Sequence, residues 1–164
     1  MDRPVRVSCI IPAYNEAATI AHVVAAARGC TEIDEVIVVS DGSTDATAQR
    51  AGRAGARVVE LSANRRKSDA VLEGLRRARG EVIVLLDADL LGLRPDHIEG
   101  LLRPVLTGGA GMAVASFVAD PWHMLLTPLS GQRCFHRAIL GASEAIRGTG
   151  FGLEVALDRL ARRS

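Results

Sequence analysis

The chain has 164 residues, 48% of them hydrophobic and 24% charged, and its formal net charge is +1. This length suits a single domain, residues 1–164, with a sizeable core, and the composition excludes an intrinsically disordered chain. A near-neutral charge balance argues against a nucleic-acid partner, which usually shows as a basic excess. No stretch reaches the roughly 20 apolar residues that a membrane-spanning helix requires.

The three cysteines of the chain form no CxxC pair. An odd set of this kind is typical of reduced thiols in a cytosolic protein. Residues 1–4 lead directly into a strand pattern, so no signal peptide is evident. We therefore expect a cytoplasmic location.

Continuous apolar runs predict four buried strands, at residues 5–11, 35–40, 57–61 and 82–86. The three helices between them are expected to begin after Asn15, after Ser43 or Thr44, and at Asp69, where capping residues precede apolar stripes. This alternation is typical of βαβ units. It predicts a three-layer α/β/α fold with a mostly parallel central sheet.

The pattern is looser beyond residue 90. Pro95 predicts the start of a helix, and residues 112–117 a fifth strand. Residues 119–130 contain two prolines and are interpreted as a substrate-side loop. Residues 132–140 are predicted to be helical, and residues 153–162 to form a final amphipathic helix.

Two acids, Asp87 and Asp89, follow the fourth apolar run. On a strand, residues i and i+2 project to the same side, and open α/β sheets bind ligands at the carboxyl ends of their strands. Two close carboxylates repel each other unless a cation lies between them, and Mg²⁺ or Mn²⁺ prefers such oxygen ligands together with substrate phosphates. This stretch alone fits either a metal that bridges the protein to a diphosphate or a solvated acidic turn.

Polar loops follow all four predicted strands, at residues 12–16, 41–45, 64–67 and 87–89. Because the carboxyl ends of parallel strands meet at one edge of a sheet, these loops are expected to converge. No GxGxxG follows the first strand, which argues against a dinucleotide-binding domain. The missing glycine-rich loop also argues against a nucleotidyltransferase.

Four motifs in this order resemble those of family 2 glycosyltransferases of the GT-A fold: residues 10–16, 38–45, Lys67 before a helix, and 86–89. The resemblance is dense over residues 5–90 and loose beyond them. It implies a Rossmann-like nucleotide-binding half at 1–90 and an acceptor-side half at 91–164. It further implies a nucleotide-sugar donor such as a UDP-sugar, Mg²⁺ or Mn²⁺, and transfer of the sugar to an acceptor.

The resemblance implies that the loop from Pro12 to Glu16 holds the nucleoside. The backbone of Ala13 and Tyr14 would contact the nucleoside, and the Glu16 carboxylate would bind the ribose hydroxyls. Two simpler roles stay open. Glu16 also fits a first-turn helix acid, and Tyr14 a residue packed at the rim.

The resemblance also assigns a role to residues after the second strand. Asp41 would accept a hydrogen bond from the uracil N–H, while Gly42 and Ser43 would let the base approach the backbone. Lys67 would reach the nucleotide or its phosphates. Asp41 also fits a turn residue after a strand, and Lys67 fits a solvated basic run with Arg65 and Arg66.

At the end of the fourth strand, the resemblance implies that Asp89 binds the metal. Asp87 would hold the ribose or a water bound to that metal. The metal would stabilise the leaving diphosphate, where negative charge develops.

On the acceptor side, residues 130–133 and 150–154 resemble segments of the subgroup that includes glucosyl-3-phosphoglycerate synthases. In that setting Arg133 would meet a phosphate or carboxylate, and Glu154 would lie near the reacting sugar. These two are the catalytic candidates. Arg133 also fits a charge on a helix surface, and Glu154 an acid at a helix N-terminus.

The sequence departs from the family pattern in two ways. None of its four histidines follows residue 154, so none can complete the metal site as a later histidine does in many relatives. The glycine that usually stands beside the lysine is also absent, because the sequence there is Arg66-Lys67-Ser68. Both departures leave open a truncated or catalytically silent nucleotide-sugar-binding domain. A polyprenyl-phosphate glycosyltransferase associated peripherally with a membrane, and a homodimer, also stay open.

Overall fold

The computed structural model describes residues 5–115, residues 131–140 and Leu157. Its strands are Val7–Ala13 (β1), Glu35–Asp41 (β2), Arg57–Leu61 (β3), Val82–Leu85 (β4), Met112–Val114 (β5) and Arg133–His136 (β6). Its helices are Ile20–Gly29 (α1), Thr47–Arg53 (α2), Lys67–Arg77 (α3) and Pro95–Leu106 (α4), and a 3-10 turn covers Arg137–Leu140.

The six strands form one sheet in the order β3-β2-β1-β4-β6-β5. Strands β1 to β4 are parallel, whereas β6 runs antiparallel to both β4 and β5. The predicted α/β class with a mostly parallel sheet is confirmed. The chain moves outward from β1 to β3 and returns to β4 on the other side of β1. The gap beyond the ends of β1 and β4 is therefore the topological switch point, where open α/β sheets bind ligands.

Two apolar layers cover the sheet. Residues that alternate along β1 point to opposite faces: Cys9 and Ile11 pack with α1, α2 and α4, and Ile10 packs with α3. Because both faces of the central strands are buried, their sequences are continuously apolar instead of alternating. The three-layer arrangement predicted from these runs is confirmed.

The helix predicted over residues 132–140 is wrong. Residues 133–136 form β6, and Cys134 and Phe135 are both fully buried on opposite sides of the sheet. A short apolar segment carries no periodicity that separates a buried strand from a buried helix, so pairing with β4 and β5 decides its conformation.

Two helices also begin later than predicted, α1 at Ile20 and α2 at Thr47. The residues proposed as their caps bond to a neighbouring loop instead, as described below. The start of α4 at Pro95 and the fifth strand are confirmed, the latter as Met112–Val114. The predicted loop over 119–130 and final helix over 153–162 lie outside the described residues, apart from Leu157. No helix in the described part has the length and apolar character needed to cross a bilayer.

Candidate active site

A cleft of about 320 Å³ opens at the switch point, beyond the carboxyl ends of β1 and β4. Its lining residues are Pro12, Ala13, Tyr14, Glu16, Asp41, Asn64, Arg66, Lys67, Ala70, Asp87, Ala88 and Asp89. The predicted convergence of polar loops is therefore present in the fold. Gly42 and Ser43 are absent from this lining. Asn64 and Arg66 line it as members of the predicted loop at 64–67, although the sequence assigned neither of them a role in binding.

The loops after β1 and β2 are bonded to each other. The Asn15 backbone N–H donates to Ser43 Oγ at 3.1 Å, and Asn15 Oδ1 accepts from the Thr44 N–H at 2.8 Å. Asn15 reaches this position with a φ of 55°, in the left-handed region that asparagine tolerates. The Glu16 N–H donates to Thr47 Oγ1 at 2.8 Å, which fixes the backbone of Glu16 at the cleft.

Asp45 braces the same two loops from outside the cleft. Its Oδ2 accepts from the Ala17 N–H at 3.1 Å, and its Oδ1 accepts from the N–H of Thr47 at 2.9 Å and from the Thr47 hydroxyl. The Thr47 hydroxyl is the main reason that the pKa of Asp45 lies below its usual value, with backbone N–H donors adding to the effect. A charged Asp45 therefore helps to hold Glu16 and its neighbours in place.

Asp41 is the buried acid of the cleft, only 3% exposed. Its Oδ1 accepts a 2.8 Å hydrogen bond from the Arg65 backbone N–H, and its Oδ2 has no hydrogen-bond partner among the described residues. Gly42 has a φ of +69°, and an added Cβ would lie 2.5 Å from the backbone of Ala63 and Asn64. The glycine is thus required by the close approach of the β3–α3 loop. Its predicted role beside the base stays a prediction.

The Asp87 carboxylate is held on both oxygens. Lys67 Nζ lies 2.7 Å from Oδ1, and Gln132 Nε2 donates to Oδ2 at 2.8 Å. The antiparallel register, which pairs Leu85 with Arg133, brings Gln132 beside Asp87. Gly131 fits so tightly that an added Cβ would lie 2.1 Å from Asp87 Oδ2.

Asp89 has the opposite surroundings. Its side chain is exposed, it lines the cleft, and no described side chain bonds to its carboxylate. Strand β4 ends at Leu85, so both acids lie in the turn that follows. The period-two geometry of a strand, from which both acids were expected to project to one side, therefore does not apply to them. Lys67 and Gln132 contact Asp87, and the Asp89 carboxylate is open.

The residues present fit a divalent cation at Asp89. Mg²⁺ binds through one or two carboxylates and keeps waters or substrate phosphates as further ligands, which suits an exposed carboxylate in a polar cleft. In the described ranges, the only cluster of three potential ligand side chains is Cys30, Glu32 and Glu99, and none of these lines the cleft. A cation at Asp89 would therefore depend on the substrate for much of its coordination.

Of the two catalytic candidates, Arg133 and Glu154, the structure describes only Arg133. Arg133 is fully buried in β6 and lines a small cavity with Lys67, Asp87 and Leu157. The alternative of a helix-surface charge is therefore wrong for Arg133. Its predicted contact with an acceptor group stays a prediction. Glu154 lies outside the described residues.

Four residues of the site had no binding role assigned from the sequence: Asn15, Asn64, Arg66 and Gln132. The αL tolerance of asparagine is a signal that points to Asn15 in hindsight. The missing glycine beside Lys67 is a signal for Arg66, which has a φ of 81°. No local signal identifies Gln132, because its contact with Asp87 depends on the pairing of β6 with β4.

The sequence matches the family model described as Glycosyl transferase family 2 over residues 8–153. It is 36% identical over 124 residues to the glucosyl-3-phosphoglycerate synthase of Mycobacterium tuberculosis, covering 70% of this chain and 38% of the synthase. It is 35% identical over 112 residues to an undecaprenyl-phosphate 4-deoxy-4-formamido-L-arabinose transferase of Pseudomonas paraeruginosa, covering 62% of this chain and 33% of that protein. The chain thus spans less than half the length of these curated relatives.

Solved structures of the Mycobacterium tuberculosis synthase share the fold. The complex with Mn²⁺, UDP-glucose and phosphoglyceric acid matches with a TM-score of 0.78 and 30% identity, over 96% of this chain and 66% of that one. The complex with Mn²⁺, UDP and glucosyl-3-phosphoglycerate gives a TM-score of 0.76 and 29% identity, over 96% and 67%. The GT-A fold expected from the motifs is confirmed.

Proposed function

The chain belongs to the family 2 glycosyltransferases, and from this membership we propose that it transfers a sugar from a UDP-sugar to an acceptor hydroxyl or phosphate. The observation that carries the proposal is the open carboxylate of Asp89 in a cleft that also contains Asp41, Glu16 and Lys67. The choice of UDP is supported by the synthase structures, which hold UDP or UDP-glucose with Mn²⁺.

Asp41 and Glu16 would hold the nucleoside. The Arg65 N–H occupies Oδ1 of Asp41 and orients the carboxylate, so that Oδ2 accepts from the uracil N–H. The Glu16 backbone is fixed by Thr47, which would steady its carboxylate against the ribose hydroxyls. The backbone of Pro12, Ala13 and Tyr14 would complete this nucleoside subsite.

Asp89 would bind Mg²⁺ or Mn²⁺ together with oxygens of the donor diphosphate. When bound, the ion supplies positive charge that stabilises the leaving diphosphate. Lys67 holds the Asp87 carboxylate in place through their ion pair, so that Asp87 accepts hydrogen bonds from a ribose hydroxyl or from water in the metal site. On the acceptor side, the candidates are Arg133, supported by its position next to Lys67 and Asp87, and Glu154.

A thermal-shift panel tests donor binding. UDP-glucose, GDP-glucose and ADP-glucose, each with and without Mn²⁺, are compared on the wild type and on Asp89→Asn. Glu32→Gln is the control, because it also changes an exposed carboxylate to an amide, in the Cys30–Glu32–Glu99 cluster. We expect UDP-glucose with Mn²⁺ to raise the Tm of the wild type and of Glu32→Gln but not that of Asp89→Asn. Equal shifts in all three proteins would contradict the metal assignment.

A catalytically silent nucleotide-sugar-binding domain is the second candidate. It is favoured by the contacts of Asp87, whose two oxygens are held by Lys67 and Gln132, so that Asp89 is the open carboxylate of this turn. Sugar release or transfer from radiolabelled UDP-glucose separates the two candidates. Stabilisation by UDP and Mn²⁺ without release or transfer to any acceptor would favour the silent domain.

The acceptor is the least constrained part of the proposal. Relatives include both a glucosyl-3-phosphoglycerate synthase and an undecaprenyl-phosphate transferase, which favour a small phosphorylated acid and a polyprenyl phosphate respectively. Transfer assays with 3-phosphoglycerate, with undecaprenyl phosphate in detergent, and with neither discriminate between these acceptors. A polyprenyl acceptor would place the site next to a membrane surface.

We also propose that the protein is cytoplasmic. Whether it forms a homodimer is a separate question for experiment. The location is supported by the three cysteines, which are all free and buried. Burial raises the pKa of Cys30 to about 11 and that of Cys134 to about 12, so both thiols stay protonated near neutral pH. Size-exclusion chromatography with light scattering measures the oligomeric state, and a monomer would exclude the homodimer.

A further inference from the structure

Arg66 has an unusual backbone conformation at the edge of the cleft. Its φ is 81° and its ψ is 155°, in a region that is essentially restricted to glycine. In the described ranges, the only other residue besides glycine with a positive φ is Asn15, and asparagine tolerates such angles far better than arginine does. An arginine at this position is therefore strained.

The loop, and not the arginine side chain, sets this conformation. The Arg66 N–H donates to Asn64 Oδ1 at 3.2 Å, and its carbonyl accepts from the N–H groups of Asp69 and Ala70 in the first turn of α3. Arg66 thus turns the chain from the loop that holds Asp41 into α3. A glycine would make the same backbone hydrogen bonds without strain. The arginine side chain must contribute something that a glycine could not.

Arg66 lines the cleft and is exposed, and its side chain makes no ion pair or hydrogen bond with any described side chain. The neighbouring cation, Lys67, is 2.7 Å from Asp87. Two basic residues line the described cleft, and Arg66 is the one that forms no ion pair with a described carboxylate. It also lies at the N-terminus of α3, where the helix dipole favours a bound anion.

We propose that Arg66 is a donor-binding residue and that its guanidinium contacts the diphosphate of the nucleotide sugar. This inference rests on the proposed function, which supplies the diphosphate. Guanidinium groups bind phosphate oxygens in bidentate geometry, and such charge-assisted bonds are stronger than neutral ones. The strained backbone at Arg66 is retained because a glycine there would remove this cation.

Two substitutions separate the cation from the strain. Arg66→Gly removes both, whereas Arg66→Ala removes the cation and keeps a residue that does not suit the backbone. Titration calorimetry with UDP and Mn²⁺ should give affinities about tenfold weaker than the wild type for both variants. The Tm of ligand-free Arg66→Gly should rise by roughly 2–4 °C, and that of Arg66→Ala should not rise. A residue with only a structural role would not combine a higher Tm with weaker binding.

Arg53→Ala is the control for net charge. Arg53 is exposed in the last turn of α2, lies outside the cleft lining, and makes no ion pair with the described residues. Its replacement should leave UDP affinity within twofold of the wild type. An equal loss in Arg53→Ala and Arg66→Ala would contradict a direct contact.

Failure of this inference differs from failure of the proposed function. If the wild type binds UDP with Mn²⁺ and Arg66→Gly binds it equally well, Arg66 does not contact the diphosphate. If the wild type shows no binding at all, the proposed function is wrong and the inference falls with it. A tenfold loss that is confined to UDP and absent with uridine supports the diphosphate contact.

Discussion

The parallel and antiparallel parts of the sheet contribute to the cleft in opposite ways. Strands β1, β2 and β4 are parallel, and each provides the loop that follows its carboxyl end. Strand β6 runs the other way, so the residues at its start reach the same edge. Gly131 and Gln132 therefore contact Asp87 although they precede their strand.

This difference shows why two acids only two residues apart have different roles. Asp87 lies where the two parts meet, between Lys67 from α3 and Gln132, which directly precedes β6. Asp89 lies past that junction and is exposed. We infer that the antiparallel strand positions Asp87 and leaves Asp89 as the carboxylate available to a cation.

The largest effect is expected from Gly131→Ala, which disturbs the contact between the two parts. An added Cβ would lie 2.1 Å from Asp87 Oδ2, so the carboxylate or β6 must move. We expect UDP affinity in the presence of Mn²⁺ to fall at least tenfold, as measured by calorimetry. Gly111→Ala is the control, because the nearest atom to its Cβ is 3.4 Å away at the end of the Ile139 side chain. Normal affinity in Gly131→Ala would show that Asp87 is not positioned by β6.

Gly74→Ala tests the parallel part, where α3 packs on β1. An added Cβ would lie 2.5 Å from Ile10 Cγ2 and 3.3 Å from Val39 Cγ2. We expect the free energy of unfolding in urea to fall by about 1–3 kcal/mol because the core there is already filled. Gly100→Ala, also inside a helix but with no atom within 4 Å of its Cβ, should instead gain about 0.5–1 kcal/mol. If both substitutions changed the free energy of unfolding in the same direction, the packing described for α3 would be contradicted.

Gln132→Leu should have a moderate effect. It removes the donor to Asp87 Oδ2 but keeps the ion pair with Lys67, so we expect stability to fall by about 1 kcal/mol and UDP affinity to weaken severalfold. Gln132→Glu should lower the stability further near neutral pH, because it places a second carboxylate beside Asp87. Urea unfolding at neutral and mildly acidic pH measures the difference in the free energy of unfolding between Gln132→Glu and the wild type. This difference should become smaller at acidic pH, where the new carboxyl group is protonated. Equal stability of Gln132→Glu and wild type at neutral pH would contradict the hydrogen bond from Gln132 Nε2 to Asp87 Oδ2.

Asp45→Asn should have the smallest effect. The pKa of Asp45 is lowered, so the charged form contributes stability above the usual aspartate pKa of 3.8, and that contribution is lost as the pH falls through the lowered value. The Tm of the variant should therefore be slightly below that of the wild type near neutral pH. In strong acid the Tm of the variant should become equal to that of the wild type. A constant difference at every pH would show that charge is not involved.

Much of the donor side could be predicted from sequence because its signals are local. Apolar runs that end in polar loops identify β1 to β4, and parallel strands place those loops at one edge. Pro12, Glu16, Asp41, Lys67 and Asp89 were found in this way, with the family resemblance to assign their roles.

The remaining features depend on contacts between distant parts of the chain. The pairing of Cys134 and Phe135 with β4 turns a predicted helix into a strand, and no local pattern reveals it. The same pairing brings Gln132 to Asp87, 45 residues away in sequence. The strain at Arg66 depends on the path of the backbone between Asp41 and α3, which composition cannot show.

The most direct test of the division between Asp87 and Asp89 is a crystal structure grown with UDP and Mn²⁺, with an anomalous difference map to locate the ion. We predict one Mn²⁺ peak within coordination distance of the Asp89 carboxylate, with the diphosphate between the ion and Arg66 at the start of α3. Lys67 and Gln132 should still hold Asp87. A peak only at the Cys30–Glu32–Glu99 cluster, or UDP bound away from this cleft, would contradict the account.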